Sequence, residues 1–358
     1  MRRKVFSVLF STITICTLFI VCIVFLPRNY DVPQMQNRKS TRFWDLSTGS
    51  EIAYTLISGK EPKKNHPIIY LHGGPGGPID NSNINTLSLL SDDGYDIYLY
   101  DQIGGGHSGR LDNIDDYTAD RHKSDLEEIV KIIGAEKIIL IGQSWGAMLA
   151  NMFIVEHPEK VERMIFTGPG PILPINTELA NITPPDSLNL KEPYYTNRQG
   201  NEKARNVRSM LTQKCAMMFG YKLASDKEAD KFATYLNTEL NKSTLSDTSI
   251  TRKVEGGAGY YAHIMTTKSF KDVKDQRYRI KNLNIPVLIM KGQYDNQKWG
   301  YTQEYLALYS NSKLVVIPNA GHAIAVEKPE QYIKTIRAFI NPQNQRTTRE
   351  KNNVDLKE

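Results

Sequence analysis

Five consecutive residues, Gly142-Gln143-Ser144-Trp145-Gly146, follow a short isoleucine-rich run, Ile138 to Ile141, and lead straight into a helix-compatible segment. A serine between two glycines at a strand-to-helix turn makes a nucleophile elbow. The glycines permit a turn that a Cβ would obstruct, and the hydroxyl stands clear of the sheet edge. Ser144 is the candidate nucleophile. A serine hydroxyl at neutral pH needs a base within hydrogen-bond reach, and that base needs an acid to orient it. In elbow enzymes the chain order is serine, acid, histidine. Asp295 closes the loop Lys291-Gly292-Gln293-Tyr294-Asp295 after the apolar run ending at Met290, and His322 ends Pro318-Asn319-Ala320-Gly321-His322 after Leu314 to Ile317. Taken singly, an aspartate after a strand is ordinarily a turn former and a lone histidine ordinarily structural. Of the other histidines, His66 and His157 adjoin prolines, His122 sits in a charged helix, His263 has no visible partner, and His72 and His107 lie in glycine loops. Only His322 has both the chain order and the strand-end setting, so Ser144, Asp295 and His322 read as an acyl-transfer triad.

Such a site also needs amide donors aimed at the developing oxyanion. The N–H of Trp145, next after the nucleophile, is one; the loop His72-Gly73-Gly74-Pro75-Gly76 after the apolar run Ile68 to Leu71 is placed to supply the other. A phosphate cradle is the competing reading of that loop, but no Gly-Lys-Ser/Thr follows and Pro75 lacks an amide donor. The reading calls for no cofactor and no metal.

The elements that must hold these residues alternate. Apolar strand-like runs at Ile68 to Leu71, Tyr95 to Tyr100, Ile138 to Ile141, Met164 to Thr167, Pro286 to Met290 and Leu314 to Ile317 are interleaved with helical patterns, among them Tyr117 to Ile133, Trp145 to Glu156, Tyr301 to Tyr309 and Glu330 to Ile340. Alternation predicts an α/β fold: a mostly parallel sheet covered by helices on both faces, with ligand groups at the strands' carboxyl ends. A hairpin is expected at 43–59. Residues 171–282 break the alternation with a Pro-, Asn- and Thr-rich stretch and helical segments around Ala204 to Met218 and Asp226 to Leu240, which reads as an inserted, mainly helical cap over the site. The core is then 43–170 and 283–342, and the polar end, 343–358, reads as a disordered tail.

With 358 residues and 40% hydrophobic content the chain can bury a sizeable core. Its net charge of +6 falls to +3 once Arg2, Arg3 and Lys4 are set aside, which gives no reason to expect nucleic-acid binding. Cys16 and Cys22 lie in the first apolar run, leaving Cys215 alone, so the fold stands on its core without a disulfide. Val5 to Leu26 carries no charge and spans about 33 Å as a helix, enough for a bilayer core of about 30 Å. A cleaved signal peptide is the rival reading, yet its apolar part is usually about 7 to 15 residues and ends in a small-x-small site, where this run ends Phe25-Leu26-Pro27-Arg28. We therefore expect an anchor over 1–26 and a stalk over 27–42. The basic residues before the run place the catalytic part outside the cytoplasm, a bias blunted by Arg28, Arg38, Lys39 and Arg42 beyond it.

Together, His72-Gly-Gly-Pro-Gly, Asp101-Gln-x-Gly-x-Gly-x-Ser108, Gly142-x-Ser-Trp-Gly146, Gly292-x-Tyr-Asp295 and Gly321-His322 resemble the proline iminopeptidase (prolyl aminopeptidase) family of α/β-hydrolases. The match covers 44–170 and 282–341. The resemblance implies Ser144, Asp295 and His322 as nucleophile, acid and base, with an oxyanion hole from the amides of Gly74 and Trp145. Departures are Gln143 where the family commonly has a second glycine, and Ile103 where it has arginine. The family's cap also supplies glutamates, one beside a tryptophan, to hold the substrate's amino group. The insertion here has no tryptophan, and Glu202, Glu228, Glu239 and Glu255 are the available carboxylates. The expectation is a membrane-anchored serine hydrolase releasing N-terminal residues from short peptides. The alternatives are an esterase or amidase on a small apolar acyl compound, and an inert hydrolase fold used for binding.

Overall fold

The computed structural model describes residues 2–38, 40–250 and 254–341; the expected tail at 343–358 lies outside them. An eight-stranded sheet organises the chain. β1 (Thr41–Asp45) and β2 (Glu51–Ile57) form an antiparallel hairpin, and β2 lies antiparallel to β4 (Ile97–Tyr100). From β4 the sheet is parallel through β3 (Ile68–Leu71), β5 (Ile138–Gln143), β6 (Val161–Thr167), β7 (Val287–Gly292) and β8 (Ser312–Ile317), in the order β1-β2-β4-β3-β5-β6-β7-β8. The two-residue period of a strand divides the core. Ile69, Leu71, Ile138 and Leu140 point to one face, while Ile68, Tyr70, Ile139 and Ile141 point to the other. Because both faces are covered, the central strands are apolar throughout.

An N-terminal helix, α1 (Arg2–Phe25), precedes the sheet, and its stretch Val5–Cys22 has a mean hydropathy of 2.4 with no part buried. It is long and apolar enough to cross a membrane. Within the sheet region come α2 (Asn81–Ser88), α3 (Ala119–Ile133) and α4 (Trp145–Glu156). α3 begins two residues later than its apolar pattern predicts, because the Thr118 hydroxyl accepts from the Arg121 amide and caps it, which leaves Tyr117 in the preceding turn. Gly134, at φ 70°, stops it.

The insertion supplies α5 (Asn197–Ala204), α6 (Val207–Phe219), α7 (Asp226–Leu240), α8 (Tyr260–Ser269) and α9 (Arg277–Ile280). α8 has little sequence periodicity, since Tyr260, Tyr261, Ala262, Ile264, Met265 and Thr266 are buried and only His263 and Thr267 are exposed, too narrow an edge to mark it as a helix. The chain returns through α10 (Trp299–Leu308), α11 (Ile324–Glu327) and α12 (Pro329–Ile340). α3, α4 and α10 cover one sheet face together with part of the cap, and α2 and α12 cover the other.

The segment expected as a free spacer lies against the domain instead. The Arg28 amide donates to Glu228 Oε1 at 2.9 Å, Tyr30 packs on Phe232 and Tyr235 with ring centroids 5.4 and 5.7 Å apart, and the His107 ring meets the Gln36 carbonyl at 3.1 Å. Arg38, buried, forms an ion pair with the fully buried Asp101. A polar composition reads as linker in sequence; here the polar groups find partners on the surface they cross.

Candidate active site

The parallel strands end at one edge, and the chemistry gathers there. β5 delivers Ser144, β7 the loop to Asp295, β8 the loop to His322, and β3 the His72 glycine loop. Ser144 sits at φ 55°, ψ −116°, a left-handed conformation rare for a residue with a side chain and held here by its surroundings. Its amide donates to Thr167 O at 3.0 Å, fixing the turn to β6. A Cβ on Gly146 would run into the Leu71 carbonyl, so glycine is required where α4 crosses the end of β3.

His322 Nδ1 donates to Asp295 Oδ1 at 2.8 Å, which leaves Nε2 as the basic nitrogen. Asp295 also accepts from the Gln297 amide at 3.0 Å and lies 3.3 Å from Lys291 Nζ. Burial would raise the Asp295 pKa, but the charges of Lys291 and His322 outweigh it and hold the carboxyl well below its usual range. Gly168 fits against the pair, since a Cβ there would come within 2.7 Å of His322 Nδ1 and 3.2 Å of Asp295 Oδ2.

Lys291 is missing from the sequence reading. Its signal was present: a lysine ending the strand Val287-Leu288-Ile289-Met290, a central strand covered on both faces. It is only 2% exposed, and its ammonium donates to the Gln297 carbonyl at 2.8 Å while facing Asp295.

The motifs are joined by one hydrogen-bonded chain. The Trp145 indole donates to Gln102 Oε1 at 2.7 Å, Gln102 Nε2 donates to the His72 carbonyl at 3.1 Å, and the Gln102 amide donates to His72 Nε2 at 3.0 Å. His72 Nδ1 in turn donates to Gly73 O at 2.7 Å. Burial lowers the His72 pKa, consistent with a neutral ring that accepts at one nitrogen and donates at the other. Asp101 accepts from the amides of Ile79 and His107 at 2.8 and 2.9 Å and so clips the two glycine loops together. The result brings Gly73 beside the nucleophile: a Cβ on it would stand 3.2 Å from Ser144 Cβ.

Ser144 and His322 open on a cavity of about 340 Å³ roofed by the cap, with Gly73, Gly74 and Gln143 in its wall and Leu236, Leu240 and Tyr260 across from them. His263, without a visible partner in sequence, lines it too, with Nδ1 3.1 Å from Pro75 O. Of the four cap glutamates, Glu202 pairs with Arg198, Glu228 with Arg208, and Glu239 with Lys203 and Lys242. Glu255 alone of these lines the cavity, its Oε2 accepting from the Asn81 amide and side chain at 3.1 and 2.9 Å. A second carboxylate, Asp80, lines it from the glycine-loop side. The sequence reading looked for carboxylates only in the cap and passed over Asp80.

The model of the alpha/beta hydrolase fold family matches residues 66–329, and the chain belongs to that family and is a hydrolase. Within it the chain is 27% identical over 309 residues to a proline iminopeptidase of Saccharolobus solfataricus, covering 82% of this chain and 90% of the relative. It is 25% identical over 276 residues to a proline iminopeptidase of Heyndrickxia coagulans, covering 77% and 90%. The crystal structure of the Mycobacterium smegmatis proline iminopeptidase superposes with a TM-score of 0.55 over 86% of this chain and 100% of that one, at 19% identity. Among α/β-hydrolases, the relatives to which the chain is similar over most of its length are proline iminopeptidases.

Proposed function

We propose that this protein is a serine aminopeptidase that removes an N-terminal residue, proline foremost, from short peptides through an acyl-enzyme on Ser144. The observation that carries this reading is the pair Asp80 and Glu255 in the wall of a small cavity that also holds Ser144 and His322. Carboxylates in the same cavity as the nucleophile suit a substrate whose free amine is cationic, and the relatives named above are proline iminopeptidases. Ser144 Oγ attacks the carbonyl carbon while His322 Nε2 takes its proton. The tetrahedral oxyanion is met by the amides of Gly74 and Trp145, and collapse breaks the C–N bond as the imidazolium protonates the leaving amine. Water repeats the sequence on the acyl-enzyme, releasing the amino acid and restoring the serine. Asp295 holds the imidazole in the tautomer this needs.

α1 is proposed as a single membrane anchor, on the strength of its uncharged length and complete exposure, with the catalytic domain outside the cytoplasm.

Two measurements test the enzyme. Ser144→Ala abolishes hydrolysis and fluorophosphonate labelling; labelling equal to wild type removes Ser144 from the mechanism. Glu255→Gln lowers kcat/KM for prolyl amides with a free amine by about 10- to 100-fold, the worth of one charged hydrogen bond, and leaves plain acyl esters unchanged. Hydrolysis confined to amine-free or N-blocked compounds overturns the aminopeptidase reading in favour of an esterase or amidase.

A further inference from the structure

α6 is built inside out. A surface helix ordinarily turns its apolar stripe inward and its charges to water. Here Arg208, Ser209, Thr212 and Ala216 are buried, with Arg208 Nε donating to Glu228 at 2.6 Å inside the cap. The outward side carries Val207, Met210, Met217, Met218, Phe219 and, just past the helix, Tyr221, each between 40% and 73% exposed. Val207, Met210, Met217 and Met218 fall at i, i+3, i+10 and i+11, one stripe of the helix. These six cluster within fifteen residues, whereas the other eight exposed large apolar side chains past residue 26 are scattered among the described residues. A clustered apolar patch of this kind marks a surface that something covers.

The chain itself indicates what. Arg28 is bonded to Glu228, and Glu228 to Arg208 in the first turn of α6. Two residues, Leu26 and Pro27, separate that anchor from the end of α1 at Phe25, a reach of roughly 11 Å at most over three Cα–Cα steps. α1 touches α6 yet leaves the apolar stripe open. α6 is therefore held at the level where α1 leaves its apolar span. Arg205, exposed, precedes the stripe, and Lys214, also exposed, lies within it at i+7 from Val207, a single long-stemmed cation that can reach anionic headgroups from an otherwise apolar face; Phe219 and Tyr221 are the residue types that favour the boundary between lipid and water.

We propose that the outward face of α6 is a membrane-docking surface that lies in the headgroup boundary of the same bilayer that α1 spans, so that the cap is held to the lipid surface at two places. This rests on the reading of α1 as an anchor. Met217 and Met218 enter the acyl boundary, Lys214 extends its ammonium toward the phosphates, and the cavity beside α7 is held at a fixed orientation to the membrane.

The test uses the full chain with Cys16, Cys22 and Cys215 replaced by alanine, reconstituted in vesicles of phosphatidylcholine with a minority of phosphatidylglycerol. A bimane label is placed at Met218→Cys or at Lys131→Cys. α3 runs back from the carboxyl ends of the strands, so Lys131 in its last turn stands at the end of the sheet remote from the cap. Lipids carrying a nitroxide near the carbonyl level should quench the 218 label at least about threefold more than the 131 label, as for a face buried at shallow depth. Vesicle flotation after alkaline washing reads the anchor independently. A chain washed off the vesicles overturns the anchor, and the docking surface with it. A chain that stays bound but shows equal quenching at both sites overturns the docking surface alone. A 218 label shielded from aqueous iodide but untouched by lipid quenchers also overturns it, and assigns the face to a second copy or a protein partner.

Discussion

At the scale of single residues, the site departs from a bare serine–histidine–aspartate set in having a buried cation behind the acid. Lys291 is the first of the groups that hold the Asp295 carboxyl down against its burial, ahead of His322 and the Gln297 amide. Lys291 is a positioning residue, acting through Asp295 with no contact to substrate. Lys291→Met should lower kcat about tenfold near neutrality and by more as pH falls, because the Asp295 pKa rises once its cation is gone; KM should change little. A kcat–pH profile parallel to that of wild type would assign the lysine to packing alone. Ser144, Asp295 and His322 stand out in sequence because each follows an apolar strand, and the structure places all three at one end of the sheet, with Asp295 and His322 hydrogen-bonded. Lys291 carries a weaker signal, a charge at the end of a strand buried on both faces, and which carboxylate it faces is decided only by the neighbouring chain.

At the scale of elements, α3 is tied to the cap through His122. This histidine is buried, with one ring nitrogen 3.0 Å from Thr266 Oγ1 on α8 and its ring edge-on to Trp145 at 5.7 Å. Burial, with the nearby His72 and Arg121 adding to it, lowers its pKa from 6.5 to about 3. The unfolded chain therefore binds a proton that the folded chain refuses between those values. The stability this contributes is present above about pH 6.5 and is lost as pH falls toward 3, at up to about 1.4 kcal/mol per unit. His122→Gln should flatten the dependence of the urea midpoint on pH across that window; a slope equal to wild type would show that other groups carry it. Sequence periodicity found α3 and its apolar face but placed His122 among charges, because its neighbours Arg121 and Lys123 are charged. The helices with one wet face, α3 and α12, were legible for the same reason that α8 was not. A segment buried on nearly all sides has little period to read.

For the molecule as a whole, the segment before β1 is part of the folded domain. Asp101 clips together the two glycine loops of the site, and its only cation within reach among the described residues is Arg38, contributed from the segment that sequence composition assigns to a spacer. Arg38→Met should cost about 3 kcal/mol, the penalty of a buried charge that has lost its partner, seen as a fall in thermal midpoint together with a fall in kcat. A loss of stability within about 0.5 kcal/mol would mean that the amides of Ile79 and His107 suffice. The parallel sheet was readable from its alternation with helices, and so were the places where the chemistry collects. The path of residues 28–38 was not, since their contacts are made with parts of the chain remote in sequence.

The pinning of Arg28 to Glu228 also decides how far the enzyme can roam. A free polar linker of sixteen residues would let a domain wander over roughly 20 Å, sampling solution at varied heights and tilts. The two residues between α1 and the bonded Arg28 remove that freedom. If α1 spans a bilayer as proposed, the catalytic cavity would stand at one height above the lipid and meet substrates that arrive along the surface more often than those in bulk solution.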